Sequence, residues 1–157
     1  MTTTSKHKEI IRAKLSEFAS QENGLKSIKN AYFKKLSAEN YEIYKKLSVT
    51  DLHVLNDLSD KVFLAKHLVT LLPVTQSAIS KSIARLVKHN LIQITQKKGN
   101  KKERIISRTS SGEEISQVYN DYRGTVNLRF EKITSQFTQN ELTTIEHFLT
   151  VLNNELY

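Results

Sequence analysis

The chain has 157 residues, 24 Lys and Arg against 16 Asp and Glu for a net charge of +8, and a hydrophobic share of 38%, enough for one core with appended helices. The absence of cysteine excludes disulfides and thiolate metal sites, and four glycines with one proline leave no material for a Gly-rich phosphate loop or a turn-dense sandwich. No stretch is long and apolar enough to span a bilayer and the N-terminus lacks the apolar core of a secretion signal, so the expectation is a mainly α cytoplasmic protein with no membrane partner.

Within residues 5–20, Ile10, Ile11, Leu15, Phe18 and Ala19 recur at helical spacing, and the pattern breaks at Gln21 to Gly24. Ile28, Ala31, Tyr32, Leu36, Ile43 and Tyr44 predict a second helical stretch over residues 25–46, interrupted between Ser37 and Asn40. Such helices are held by packing rather than by propensity, so residues 1–46 form an arm whose apolar side needs a cover. The next helix takes Ser48 or Thr50 as its cap and runs through Leu52, Val54, Leu55 and Leu58 to about Ser59.

Leu64, Ala65, Leu68, Leu71 and Leu72 predict a short helix ended by Pro73, whose ring clashes with the preceding turn. Thr75 can then cap a new helix through its hydroxyl, with Ala78, Ile79, Ile83, Leu86 and Val87 as its apolar stripe. The opposite face presents Gln76, Ser77, Ser80, Lys81, Ser82, Arg85 and Lys88. Small hydrogen-bonding groups at the front of a helix let its backbone approach the floor of a DNA major groove, and cations further along reach phosphates. Thr75, Gln76, Ser77, Ser80, Lys81 and Arg85 are therefore the predicted contacts of a recognition helix. A solvated amphipathic helix would show the same stripe, and the next segment of the chain decides between the two. Asn90 stands where a left-handed C-cap is expected, and Leu91, Ile92 and Ile94 begin a strand. The cationic turn Lys97-Lys98-Gly99-Asn100-Lys101-Lys102 then leads into a second strand from Arg104 to Arg108. Helix, turn, helix and basic hairpin in that order predict a winged helix-turn-helix over residues 47–109, with Lys97, Lys98, Lys101, Lys102 and Arg104 as wing cations for DNA.

Beyond the wing, Ser110 and Glu113 read as a capping box, and Ile115, Val118, Tyr119, Tyr122, Val126, Phe130, Ile133 and Phe137 continue at helical spacing. A second box, Thr138 with Glu141, opens a last helix carrying Leu142, Ile145, Phe148, Leu149, Leu152 and Leu156. One small winged domain cannot cover stripes of that length, so residues 110–157 are predicted to form dimerisation helices with the N-terminal arm, and the chain to be a homodimer. Charge follows the same division. Residues 61–108 hold eleven Lys and Arg against the single acid Glu103, a net of +10, which leaves −2 for the remainder. A basic block in an otherwise near-neutral protein points to a polyanion such as double-stranded DNA.

The run Leu47-Ser48-Val49-Thr50 through Leu55, Leu64-Ala65 with Leu68, the ungapped stretch from Val74 through the wing, and Thr109 with Gly112 resemble the MarR family of bacterial transcription regulators. The resemblance covers roughly residues 45–155 and implies a dimeric winged-helix protein, usually a repressor, on a pseudopalindromic operator. Where that family commonly carries an Asp-x-Arg pair in the wing, this chain has Asn100 and Lys102. Asn100 cannot supply the carboxylate that orients a guanidinium, while Lys102 or Arg104 can still enter a minor groove.

Some members of the family sense zinc and resemble this chain around His53 and in the segment from Ser135 to Glu141. Here, however, the long helix reads Tyr119-Asn120-Asp121-Tyr122-Arg123 where that branch places histidines, and without cysteine His53 has no evident co-ligand, so no metal or other cofactor is expected. His53, Tyr119 and Tyr122 could instead line a pocket for a small-molecule effector, against the simpler reading of a helical aromatic stripe as core. His67 and His89 fall in the basic domain as surface or phosphate-facing groups. Asp51 and His53, two residues apart, do not share a helix face, and no motif ties a serine nucleophile to them, so the chain is not expected to be an enzyme. The alternative to operator binding is a winged-helix module that docks protein or RNA through its basic hairpin.

Overall fold

The computed structural model describes residues 3–20, 23–58, 63–64, 75–97 and 100–156. In chain order these form α1 (Thr3–Ser20), α2 (Asn23–Phe33), α3 (Ala38–Tyr44), α4 (Val49–Asp57), β1 (Phe63–Leu64) and α5 (Gln76–Lys88). β2 (Ile92–Lys97), β3 (Asn100–Arg108), α6 (Ser110–Thr134) and α7 (Gln139–Leu156) complete the chain. They fall into two compact units, residues 1–122 and residues 123–157. No described helix is long and apolar enough to cross a membrane.

In the first unit, α4 opens on a complete capping box: Ser48 Oγ accepts the Asp51 N–H, and the Asp51 carboxylate accepts the Ser48 N–H. Leu52, Val54, Leu55 and Leu58 of this segment then meet Ile79 and Leu86 of α5, Ile106 of β3, Ile115 of α6 and Phe33 of α2 in one buried cluster. Each such side chain, fully withdrawn from water, contributes about 1.5–3 kcal/mol, so α5 is held by its inner stripe rather than by helix propensity.

β3 is the centre of an antiparallel sheet of order β1-β3-β2. Leu64, expected in a helix, lies instead in β1 and pairs with Ile105, because a strand of two residues already finds its backbone partners on β3. The remainder of that expected helix, Ala65 to Pro73, lies outside the described residues. β2 and β3 keep the Ile92↔Arg108 register as far as Gln96↔Arg104 and then shift to Lys97↔Asn100, so residues 101–103 are taken up in an irregularity of the hairpin.

α5 joins the sheet and α6 through a compact set of bonds. Leu91 N–H reaches Leu86 O and Asn90 N–H reaches Val87 O, a Schellman closure that puts Asn90 at φ 54. The Asn90 carbonyl accepts the Thr109 hydroxyl at 2.7 Å, and the Leu91 carbonyl accepts the Thr109 N–H at 3.0 Å. Thr109 Oγ1 also accepts the Gly112 N–H, so Thr109, not Ser110, caps α6. Glu113 is drawn off by Arg108, whose Nε lies 2.7 Å from its carboxylate. A Cβ on Gly112 would stand 2.0 Å from the Leu91 carbonyl oxygen, which is why this position needs glycine.

α1 is exposed from Lys6 to Ala19 apart from half-buried Leu15, with Phe18 74% exposed. In the second unit, α6 ends at Thr134 and Phe137 falls in the turn rather than on the helix, where the Thr138 and Glu141 capping box opens α7 as expected. Between the end of α6 and α7 lies a groove of 570 Å³ lined by Phe130, Ile133, Phe137, Leu142, Ile145 and Leu149.

Candidate nucleic-acid interface

α5 is the most strongly sided helix of the first unit. Its buried stripe is Ile79, Ser82 and Leu86, with Ala78 and Ile83 half-buried beside it. Its exposed edge carries Gln76, Ser77, Ser80, Lys81 and Lys88. Two expectations are corrected: Ser82, assigned to the polar face, is 2% exposed, and Val87, assigned to the apolar stripe, is 43% exposed. Thr75 caps the helix as predicted, its hydroxyl accepting the Ala78 N–H at 3.2 Å. The capped N-terminus brings Thr75, Gln76, Ser77 and Ser80 together within the first turns, all exposed, with Lys81 next in sequence. Donors, acceptors and a cation on one accessible helix edge are what reading base edges from a major groove requires.

Arg85 is placed differently from the other polar residues of α5. Its Nη1 pairs with Oδ2 of Asp51, a residue with no exposed surface, and donates to Ser48 Oγ at 3.3 Å. Burial pushes the Asp51 carboxyl up, but the Ser48 N–H, the Ser82 hydroxyl, the Arg85 guanidinium and the Ser48 hydroxyl outweigh it and hold the group below the ordinary carboxylate value. An ionised Asp51 therefore bonds two helices at once. The sequence carried a trace of this link, an acid at the third position of one helix and an arginine three residues after a serine on the other, but nothing in either segment alone pairs them.

In the wing, Lys97, Lys101, Lys102 and Arg104 lie on the two strands, and Lys98 lies outside the described residues. Arg108, counted with the basic block, is an internal tie with only 10% of its side chain exposed. It donates to the Leu55 and Asn56 carbonyls at the end of α4 and to Ser116 Oγ of α6 at 2.6 Å. His89 is the C-cap of α5, and His67 lies outside the described residues.

The three residues suggested for an effector pocket are brought together. Tyr119 Oη lies 3.5 Å from His53 Nε2 with the rings edge-on, and Tyr122 packs 6.2 Å from Tyr119. Tyr119 is 5% exposed and belongs to the same buried cluster as Phe33, which stacks on Tyr44 at 3.8 Å. Among the described residues no group of three His, Asp or Glu is placed to hold a metal ion.

No protein-family model matches the chain. Transcriptional regulator AdcR of Streptococcus pneumoniae serotype 2 is 31% identical over 112 residues, covering 70% of this chain and 75% of AdcR. An HTH-type transcriptional regulator of Bacillus subtilis, YvnA, is 27% identical over 119 residues, covering 72% and 73% of the two chains. Among solved structures, the zinc-responsive MarR family member ZitR of Lactococcus lactis superposes with a TM-score of 0.58 at 17% identity, over 99% of this chain and 100% of its own. A ZitR variant in complex with DNA superposes with a TM-score of 0.55 at 19% identity, over 71% and 76%. With a regulator at this identity and coverage, and with a capped recognition helix and hairpin wing in the expected order, the chain belongs to the MarR family of winged helix-turn-helix, DNA-binding transcription regulators.

Proposed function

We propose that the protein is a cytoplasmic repressor that binds a pseudopalindromic operator as a homodimer. α5 of each copy enters one of two successive major grooves, and the wing cations Lys97, Lys98, Lys101, Lys102 and Arg104 meet the flanking minor groove or phosphates. Residues 47–109 carry the DNA contacts, and residues 1–46 and 110–157 supply the dimer. The observation that carries this reading is the sorting of α5 into a stripe buried against α4 and an exposed edge of Gln76, Ser77, Ser80 and Lys81 behind a capped N-terminus. The test is selection from a random duplex pool with the full chain, and then titration of the selected duplex against a scrambled duplex of equal length. The expected motif has inverted half-sites about 10 base pairs apart, centre to centre, or a multiple of that. Equal affinity for both duplexes would overturn the reading in favour of protein or RNA docking.

Zinc responsiveness is a stated property of ZitR, and it does not transfer through His53. The His53 ring meets a phenol oxygen, Asp51 is committed to Arg85 and Ser48, and the chain has no cysteine. Those residues supply no zinc ligand set, and no step of the proposed function is routed through a metal.

A further inference from the structure

The cations of α5 are not equivalent toward a polyanion. Arg85 keeps 40% of its side chain exposed, yet its Nη1 is held by the fully buried Asp51 carboxylate and by Ser48 Oγ. The same Asp51 oxygen accepts the Ser48 N–H at 2.7 Å, so one carboxylate closes the N-terminus of α4 and grips α5. Ser82, three residues before Arg85, is buried on the same side of α5. A guanidinium balanced by a buried carboxylate adds no net charge to displace counterions from DNA, but its Nη1, shared between Asp51 Oδ2 and Ser48 Oγ, ties the last turns of α5 to the N-terminus of α4 and so resists rotation of the helix that bears it. Gln76, Ser77 and Ser80 sit on the exposed side of that helix, so a change in its rotation displaces all three from base edges together.

Resting on the operator-binding reading above, we propose that Asp51 and Arg85 form a positioning pair that sets the rotation of α5, and so its sequence preference, while Arg85 itself makes no phosphate contact. The test compares wild type, Arg85→Gln, Asp51→Asn and the double variant as full chains, each in a salt series on the selected duplex and on the scrambled duplex. Arg85→Gln is expected to lower the ratio of specific to nonspecific affinity about tenfold, without making log affinity against log salt any shallower on the scrambled duplex. Asp51→Asn should lower the ratio likewise, again with no shallower slope. The double variant should lose no more than the worse single one, since both act through one link. If a single variant fails to fold by circular dichroism, the double variant, which leaves no buried charge unbalanced, carries the comparison: a lower ratio at unchanged slope supports the pair. A slope that falls by about 0.9 in Arg85→Gln at an unchanged ratio would make Arg85 a phosphate contact and overturn the proposal alone. Additive losses in the double variant would also overturn it. A wild-type protein with no preference for the selected duplex would instead overturn the operator reading, and this proposal with it.

Discussion

Gln76 and Ser80 are exposed on α5 while Ser82 is buried, a division that depends on where α4 lies and not on the polarity of the side chains. Gln76 is the residue of that edge long enough to bond an adenine edge with both ends of its amide, Oε1 accepting from N6 and Nε2 donating to N7. Gln76→Ala should therefore change preference among operator variants by about 1–3 kcal/mol at one base position, measured by competition titration; a uniform loss over all variants would count against that placement. Asp51 gives a pH dependence of known sign. Its folded pKa lies below the ordinary carboxylate value, so its stabilisation is present above an unfolded pKa near ~3.9 and is lost as pH falls through the folded value. Urea unfolding of wild type through the acid range should show stability falling there, and Asp51→Asn should flatten that part of the profile. Tyr44 offers a second marker: burial against Phe33, with Tyr41 and Tyr122 nearby, pushes its phenol up to about 12. A spectroscopic titration should find a phenol ionising that late, and Tyr44→Phe should remove it.

At the scale of elements, the joint between α5, β2 and α6 concentrates several requirements in few residues. Gly112→Ala must displace the Leu91 carbonyl, and should cost about 1–3 kcal/mol in denaturant unfolding. Asn90→Val, which puts a branched side chain at φ 54, should cost about 1–2 kcal/mol, whereas Asn90→Gly should be tolerated. The Asn90 cap was readable because a helix signals its own end within a turn. The Ser110 and Glu113 box does not form because two neighbours compete for its parts: Thr109 takes the cap and Arg108 takes the carboxylate. In the wing, replacing Lys98 or Lys101 by Ala should lower the slope of log affinity against log salt by about 0.9 for each phosphate contact removed, on specific and scrambled duplexes alike. Unchanged slopes would mean that the hairpin does not touch DNA.

At the scale of the whole molecule, apolar surface remains that one copy leaves uncovered in each unit. α1 exposes Ile10, Ile11 and Phe18 in the first unit, each by more than two fifths of its surface, and the second unit exposes Leu128, Phe130, Ile133 and Leu149, each by more than half. Exposure of that kind along helices is the mark of an interface, and the proposed homodimer gives it an occupant. Phe130→Glu with Leu149→Glu should shift the protein toward monomer in light scattering and weaken operator binding more than binding to a single half-site. A pair of glutamates that leaves the dimer intact would place the interface elsewhere.

Sequence by itself determined what is periodic or local. The amphipathic stripes, the caps at Thr75, Asn90 and Thr138, the basic hairpin and the uneven charge all arise within a few residues of chain, where helix geometry and turn chemistry act without help from distant segments. Only tertiary structure decided which polar residues of α5 face inward, that Leu64 pairs in a sheet, and that Arg85 pairs with Asp51 and Arg108 with Ser116. Arginine looks the same in a sequence whether it meets a phosphate or a buried carboxylate. The difference is set by partners 34 residues away for Arg85 and up to 53 for Arg108, brought close by the packing of α4 against α5 and of β3 beside both.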